Sequence, residues 1–419
     1  MSTLLSVNNY HYLRDGSEAV YLEHNRLFDA AGWKVVPFAM QHPSNLASPW
    51  EEHFVTEIEF GQEYSLGQKL LRLPKVIYSF EARKKLQRLL QTTRPTVAHC
   101  HSIYHHISPS ILSVLKQQQV PTVMTLHDLK PACPAYHMFR RGEICERCKG
   151  GKLHNVVAQR CVKDSLPLSA VVMAEAMLHG ALQSYRKNVD RFIVPCRFYQ
   201  QKMVEWGWEA ERFVHIPNFL DAASYQPDYT AGKDFLYFGR LSPEKGLITL
   251  IKAAARAKVA VSMAGDGPQL DELRELAQEE EADVTFLGHL SGENLHSAVR
   301  AARATVLPSE WYENAPISML ESYALGKPVI GAEIGGIPEL IPDASVGTTF
   351  ASKSVDELAA TLRNYVDMLD ANIEAMGRCA RQLVEQEYSA ARYIERVKNL
   401  YASVQNDTNA RVSFNQARG

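Results

Sequence analysis

The sequence predicts an α/β chain of two domains with parallel sheets, facing each other across a cleft. Short apolar runs alternate with amphipathic helical stretches nearly from end to end, the pattern of parallel sheets covered by helices. The alternation breaks over Pro217–Gly232, a stretch rich in turn formers without a clear period, and resumes beyond it. A length of 419 residues, at roughly 150 per domain, is enough for two or three separate cores.

The elements follow in order. Leu4–Val7 reads as a strand and Gly16–Ala31 as a helix that Gly32 closes, and Trp33–Phe38 returns as a strand. Val97–Cys100 and Pro121–Leu126 are further strands, separated by a helical stretch over Pro109–Gln118; Arg191–Pro195 and Phe213–Ile216 complete this half. The second series runs through Phe235–Phe238, Val259–Met263, Val284–Leu287, Ala304–Leu307 and Pro328–Ile330. The expected organisation is a first domain over 1–216 with a cysteine-bearing insertion near 131–165, a linker over 217–232 and a second domain over 233–385. A closing helix over 386–404, regular from Ala390, and a frayed tail over 405–419 end the chain. Ligands of such sheets bind at the carboxyl ends of the strands, here in the cleft.

Composition excludes several classes. Lys plus Arg number 45 against 47 Asp plus Glu, for a net charge of −2, so no overall positive charge recruits nucleic acid. No run of about 18 apolar residues suits a membrane span. The first residues lack the basic and apolar regions of a signal peptide. Seven cysteines are too few for a secreted disulfide scaffold. A cytoplasmic protein is expected.

Four features of the second half point at one anionic ligand. After the strand ending at Phe238, Gly239 is followed by Arg240 and Lys245, two cations before a helix starting near Leu247, an arrangement suited to a diphosphate. Gly265-Asp266-Gly267-Pro268 is a tight turn leading into a helix from Gln269. In Pro308–Glu321, Pro316 suits the first turn of a helix, placing Glu313 in the preceding loop and Glu321 about two turns inside. The exposed backbone amides of that first turn suit a phosphate, which puts Asn314, Ala315 and Pro316 at the donor; Glu321 suits a ribose diol and Glu313 faces the other end. Gly335-Gly336 lies in a strand-to-helix turn where backbone can approach a ligand closely. Each alone is no more than surface charge or a turn.

Together they resemble the GT-B glycosyltransferases, and within them family 4, retaining and metal-independent nucleotide-sugar transferases. The resemblance rests on Glu313 and Glu321 at the spacing of the family's Glu-x7-Glu element, and on Gly239, Arg240, Lys245 and Gly246. It also rests on the Gly-x-Gly-Pro turn and on Gly-Lys-Pro-Val-Ile-Gly over 326–331, all in the expected order. It implies two Rossmann-like domains and a nucleotide-sugar donor, with Arg240 and Lys245 on the donor diphosphate, Glu321 on the ribose and Glu313 at the sugar. No Asp-x-Asp triplet occurs, in keeping with cationic side chains and no catalytic metal.

In the first half, His127 closes a strand and resembles the family's histidine that contacts the donor sugar. The loop Arg14–Glu18 opens the first helix at Gly16, where the resemblance implies backbone against the donor diphosphate or the acceptor; the family usually carries a Gly-Gly pair there, and this chain has Asp15-Gly16-Ser17. His99, Cys100 and His101 either line the acceptor pocket or are structural.

Cys133, Cys145, Cys148 and Cys161, with a Cys-x2-Cys knuckle, suit a closed structural zinc site; unligated thiols and disulfides are the alternatives. His137 and His154 are weaker ligand candidates. Residues 66–95 carry Lys69, Arg72, Lys75, Arg83, Lys84, Lys85, Arg88 and Arg94 among leucines, with Glu81 as the single acid. That helix either rests on an anionic membrane surface near a lipid-linked acceptor, at the inner face of the membrane, or packs its leucines on the sheet. No nucleic-acid partner is expected.

The expected activity is retaining transfer of a sugar from a nucleotide-sugar to a glycan or lipid-linked acceptor in surface polysaccharide synthesis. A small soluble acceptor, or a catalytically silent nucleotide-sugar-binding partner, is the alternative. UDP-hexoses and GDP-mannose are both open as donors. A nicotinamide oxidoreductase is disfavoured, since no Gly-x-Gly-x-x-Gly follows a strand.

Overall fold

A computed structural model describes residues 1–57 and 75–416, with side chains through 410. Two six-stranded parallel sheets form the two halves. The first comprises β1 (Thr3–Val7), β2 (Lys34–Phe38), β3 (Val97–Cys100), β4 (Thr122–Thr125), β7 (Arg191–Val194) and β8 (Phe213–His215), in the order β2-β1-β3-β4-β7-β8. The second comprises β9 (Phe235–Phe238), β10 (Val261–Ala264), β11 (Val284–Gly288), β12 (Ala304–Leu307), β13 (Val329–Ala332) and β14 (Gly347–Phe350). Its order, β11-β10-β9-β12-β13-β14, reverses between β9 and β12. The central strands are buried from end to end, as Phe235–Phe238 and Ala304–Leu307 illustrate, because helices cover both faces of a parallel sheet.

The reversal positions the site. At a switch point the connections leave in opposite directions and open a crevice at the strand ends. The loops that leave β9 and β12 there carry Arg240 and Lys245, and Glu313.

Most expected strands fall where the sequence placed them, within a residue or two. Residues 217–232 form a connection containing a short 3-10 turn at Ala222–Ser224. A second crossing lies beside it, where Leu220 N–H donates to Tyr388 O at 2.9 Å. The final helix runs from Ala390 to Gln416, so the tail expected to fray from 405 continues as helix. Tyr393, Val397, Leu400, Tyr401 and Val404 pack into a core with Leu4, Phe28, Val97 and Val123 of the first domain. Burial of such side chains stabilises by roughly 1.5–3 kcal/mol each, which fastens the chain's end to the domain where it began.

The helix Phe80–Thr93 decides one open question. Ala82, Leu86, Leu89 and Leu90 are buried in the first domain's core, so the leucines pack on the sheet and are not available to a membrane. Lys84, Arg88 and Arg94 remain exposed. The part of this basic stretch at 66–74 lies outside the described residues.

Candidate active site

The cations of the second domain are already paired. Lys245 ends a 3-10 turn at Pro243–Lys245, and its Nζ lies 2.7 Å from Glu313 Oε1. Gly246 permits this approach. Its φ is +68°, and a Cβ there would stand 1.9 Å from Pro308 O, on the loop that leads to Glu313. Ser309 Oγ donates to the same carboxylate oxygen at 2.6 Å. Burial pushes the Glu313 carboxyl up, but the Lys245 ammonium and these hydrogen bonds outweigh it and hold the group below its ordinary value. Arg240 Nη2 lies 3.2 Å from Glu244 Oε1, which also accepts from Ser242 Oγ at 2.7 Å. Two cations and two carboxylates therefore balance, and an incoming diphosphate would compete with Glu244 and Glu313 for Arg240 and Lys245.

Gly335 and Gly336 let the chain pack against itself on their Cβ sides. A Cβ at Gly335 would stand 2.3 Å from Glu313 O, and one at Gly336 would stand 1.9 Å from Asn314 O. The backbone that closes on this turn is the chain's own Glu313–Asn314 loop. Gly239 leaves β9 with φ +145°, and Tyr237 Oη donates to Arg240 O at 2.7 Å to fix the turn.

Pro316 caps the helix Ile317–Ala324, which places Glu321 little more than one turn inside it. Ala315 is buried, and its carbonyl accepts from Asn218 Nδ2 at 2.7 Å. Glu321 meets Tyr225 Oη at 3.4 Å, and burial pushes its carboxyl up to about 7. It borders a cavity of about 350 Å³ with Ala19, Val20, Glu23 and Arg26 of the first domain's opening helix. Gly16 begins that helix, exposed, with nothing within 4 Å of a Cβ built there.

Asn314 ties the two domains. Its Nδ2 donates to Leu126 O at 3.0 Å and to His127 O at 3.2 Å, and its Oδ1 accepts from Cys196 Sγ at 3.3 Å. Asn314, expected at the donor through the amides of the helix's first turn, spends its side chain on the junction that brings His127 beside the Glu313 loop.

His127 is partly buried, and burial depresses it to about 4, so the ring is neutral at pH 7. His101 Nδ1 lies 2.9 Å from His127 Nε2, with the rings nearly parallel. His99, Cys100 and His101 are all fully buried, which favours the structural alternative. Behind them His24, His99 and His101 bring ligand atoms within 4.8 Å of one another, the one such group among the described residues. The geometry does not suit a metal ion. The His99 and His101 rings stack at 4.4 Å with planes 18° apart, and lone pairs in near-parallel planes cannot converge on one ion. Both nitrogens of His24 and of His99 are also engaged, by Tyr393 and Tyr401 and by Tyr401 and Thr125.

The insertion carries the four cysteines and reaches across to the second domain. Glu146, inside the Cys145–Cys148 knuckle, accepts from Lys202 Nζ at 2.8 Å and from Tyr312 Oη at 3.0 Å. On the hairpin β5 (Phe139–Arg140) and β6 (Glu143–Ile144), Glu143 pairs with Lys353 at 2.9 Å. Cys133, Cys145, Cys148 and Cys161 are unbonded thiols within electrostatic reach of one another. Burial, with the neighbouring thiols adding, pushes Cys133 up to about 11 and Cys148 to about 12. The amides of Ala135 and Met138 are directed at the Cys133 sulfur and that of Val156 at Cys148.

A family profile described as Glycosyltransferase Family 4 matches residues 14–224, half of the chain, and one described as Glycosyl transferases group 1 matches 226–383. The chain belongs to glycosyltransferase family 4. The two matches meet at residues 224–226, within the connection between the sheets. Among relatives of this family 4 enzyme is the GDP-mannose-dependent monoacylated alpha-(1-6)-phosphatidylinositol monomannoside mannosyltransferase of Corynebacterium glutamicum. It is 30% identical over 258 residues, 54% of this chain and 67% of that one. The alpha-maltose-1-phosphate synthase of Mycobacterium tuberculosis is 26% identical over 325 residues, 74% of this chain and 79% of that one. The stretch shared with glycogen synthase of the same organism spans only 44% of that relative's length. Sucrose-phosphate synthase from Thermosynechococcus elongatus shares the fold with a TM-score of 0.68 at 19% identity, over 96% of this chain and 99% of that one. Anabaena Alr3699/HepE, solved with UDP and glucose, gives 0.67 at 18% identity, over 96% and 100%. The two-domain GT-B architecture follows from these likenesses. Among the described residues of the family 4 chain no helix is long and apolar enough to cross a membrane.

Of the residues singled out in the sequence, the structure gathers Lys245, Glu313, Asn314 and His127 into one contiguous junction. Arg240 stands beside it and Glu321 behind it. Sequence reading missed Ser309, Glu244 and the His101 contact, none of which carries a local spacing signal.

Proposed function

We propose that this enzyme moves a sugar from a nucleotide-sugar to a glycan or lipid-linked acceptor in surface polysaccharide synthesis, with retention at the anomeric carbon. One observation carries the reading: Arg240 and Lys245 stand at the switch point of the second sheet, and Asn314, next to Glu313, joins that site to His127. Cleaving the sugar–phosphate bond leaves negative charge on the diphosphate. Arg240 and Lys245 stabilise it as it develops, each worth about 3 kcal/mol, a few hundredfold in rate. Glu321 takes the ribose hydroxyls, and His127 and Glu313 address the sugar. The acceptor attacks on the face from which the diphosphate leaves, and the leaving phosphate takes the acceptor's proton.

Two further roles belong to this reading. Cys133, Cys145, Cys148 and Cys161 would hold a structural zinc ion: the donor set is all thiol, and amides directed at two of the sulfurs favour thiolates. Bound there, zinc would require the four thiols as thiolates, with release of their protons. One zinc per chain released by a mercurial supports this, and none overturns it. The protein works at the cytoplasmic face of a membrane, held there by exposed cations such as Lys84 and Arg88 and not by the buried leucines.

The test of the main reading is the product. Incubation with nucleotide-sugars and extracted lipid-linked glycans should release nucleoside diphosphate and give a glycoside with the donor's anomeric configuration. An inverted product would remove the retaining mechanism, and release without a glycoside would remove the transferase reading.

A further inference from the structure

The contact between His101 and His127 has a direction that can be worked out. Both rings are neutral at pH 7, since burial and neighbouring histidines depress His101 and burial depresses His127. Exactly one proton therefore lies between His101 Nδ1 and His127 Nε2, 2.9 Å apart. If His127 Nε2–H donates, then the proton of His101 sits on its Nε2, a fully buried nitrogen without a hydrogen-bond partner among the described residues. If His101 Nδ1–H donates, its Nε2 is only an unused lone pair. An orphaned buried N–H is the costlier and rarer of the two.

We propose that His101 is a positioning residue: it donates from Nδ1 to His127 Nε2 and so holds His127 as the tautomer that presents Nδ1–H to the donor sugar in the cleft. His127 then acts as a hydrogen-bond donor to a sugar oxygen and not as a base. The proposal rests on the sugar-facing role of His127 proposed above, and adds what sets it.

The surroundings hold His101 in place for this. Its ring is stacked on His99 at 4.4 Å and lies edge-on to Tyr21 and His24 at 5.3 and 5.4 Å. His99 is fixed through both nitrogens, by Tyr401 Oη at 2.6 Å and Thr125 Oγ1 at 2.7 Å. His24 is fixed by Tyr393 Oη at 2.9 Å and Tyr401 Oη at 3.2 Å. Tyr393 and Tyr401 belong to the final helix, so the end of the chain braces the ring behind His127.

Amide isosteres separate the two nitrogens. The Asn amide overlays Nδ1 of a histidine and the Gln amide overlays Nε2. His101→Asn therefore keeps a donor for His127, and His101→Gln does not. The measurements are kcat, KM for the donor, and thermal stabilisation by the nucleoside diphosphate, each for wild type, both variants and His127→Ala. The expected result is near-normal kcat in His101→Asn and about tenfold lower kcat in His101→Gln, with nucleotide stabilisation unchanged in both. Equal kcat in the two variants, with His127→Ala inactive, would overturn the proposal and leave the role of His127 standing. Full activity in His127→Ala would instead remove that role, and the proposal with it. A loss in His101→Gln matched by weaker nucleotide stabilisation would mark a merely structural side chain and overturn the proposal too.

Discussion

Replacing Lys245 with Met tests two roles of one side chain. Its ammonium lies 2.7 Å from Glu313 Oε1, with side chains 17% and 8% exposed, so the variant strands a carboxylate in a nearly dry site. Losing one partner of a buried pair costs about 3–5 kcal/mol. Ser309 still donates to Glu313 at 2.6 Å, which places the expected loss near the lower end, about 3 kcal/mol. For a domain of this size that is a drop of roughly 6–12 °C in Tm. The pH dependence carries the sign. In the wild type Lys245 holds Glu313 below its ordinary 4.5, so the pair's stabilisation is present above that value and lost as pH falls through the lower folded value. In Lys245→Met burial is opposed only by the hydrogen bonds from Ser309 and Trp311 and raises the group, so ionisation then destabilises the fold as pH rises. The gap between the two proteins should be widest near pH 7.5 and should narrow toward pH 5. Adding Glu313→Gln removes the stranded charge and should restore most of the Tm, while turnover stays about 10²–10³-fold down in single and double variants alike. Thermal unfolding by circular dichroism at the two pH values and a nucleotide-release assay read these quantities. A Lys245→Met protein as stable as wild type, or a double variant no more stable than the single, would refute the reasoning.

Other expectations follow from the same geometry. Arg240→Ala, at a side chain 53% exposed, should leave folding stability within about 0.5 kcal/mol of wild type and cost about 10²–10³ in turnover, read by parallel unfolding and activity assays. Glu321, raised to about 7 by burial, should accept ribose hydroxyls best when ionised, so nucleotide affinity by calorimetry should rise from pH 6 to pH 8, and Glu321→Gln should flatten that slope. Without ligand the same raised value makes ionisation destabilising, so Glu321's contribution to stability is full below 4.5 and lost as pH rises through about 7. Gly335→Ala would set a Cβ 2.3 Å from Glu313 O at φ +61° and should cost more than about 1 kcal/mol together with donor affinity. Gly16→Ala, with open space around it, should be tolerated, and comparing the two Tm values checks the contrast.

Much of this architecture is legible in the chain because parallel strands are buried on both faces, and Phe235–Phe238 or Ala304–Leu307 stand out as uninterrupted apolar runs. Gly347–Phe350 does not, since Thr348 and Thr349 at its centre are polar and only half-buried. The helix Leu166–Ala181 carries apolar residues on all sides, so no period marks it. The donor-side residues were readable because Arg240, Lys245, Glu313 and Glu321 sit at fixed spacings within single loops and one helix. The histidine network was not, because its partners are brought together by the fold alone: His99 and Tyr401 are 302 positions apart. The close packing of Gly335 and Gly336 against the Glu313–Asn314 backbone was equally invisible, since it joins two loops of different strands. The leucines of Phe80–Thr93 show the same limit, since an amphipathic stripe looks alike whether it faces a sheet or a membrane.

The central claim is that the crevice between β9 and β12 holds a nucleoside diphosphate through Arg240 and Lys245. The direct measurement is thermal unfolding of the wild type and of Arg240→Ala with UDP, GDP, ADP and dTDP and their sugars, without added metal. The account predicts that nucleotides of one base raise the wild-type Tm, and that the rise largely disappears in Arg240→Ala. No rise with any nucleotide, or an equal rise in the variant, would contradict it.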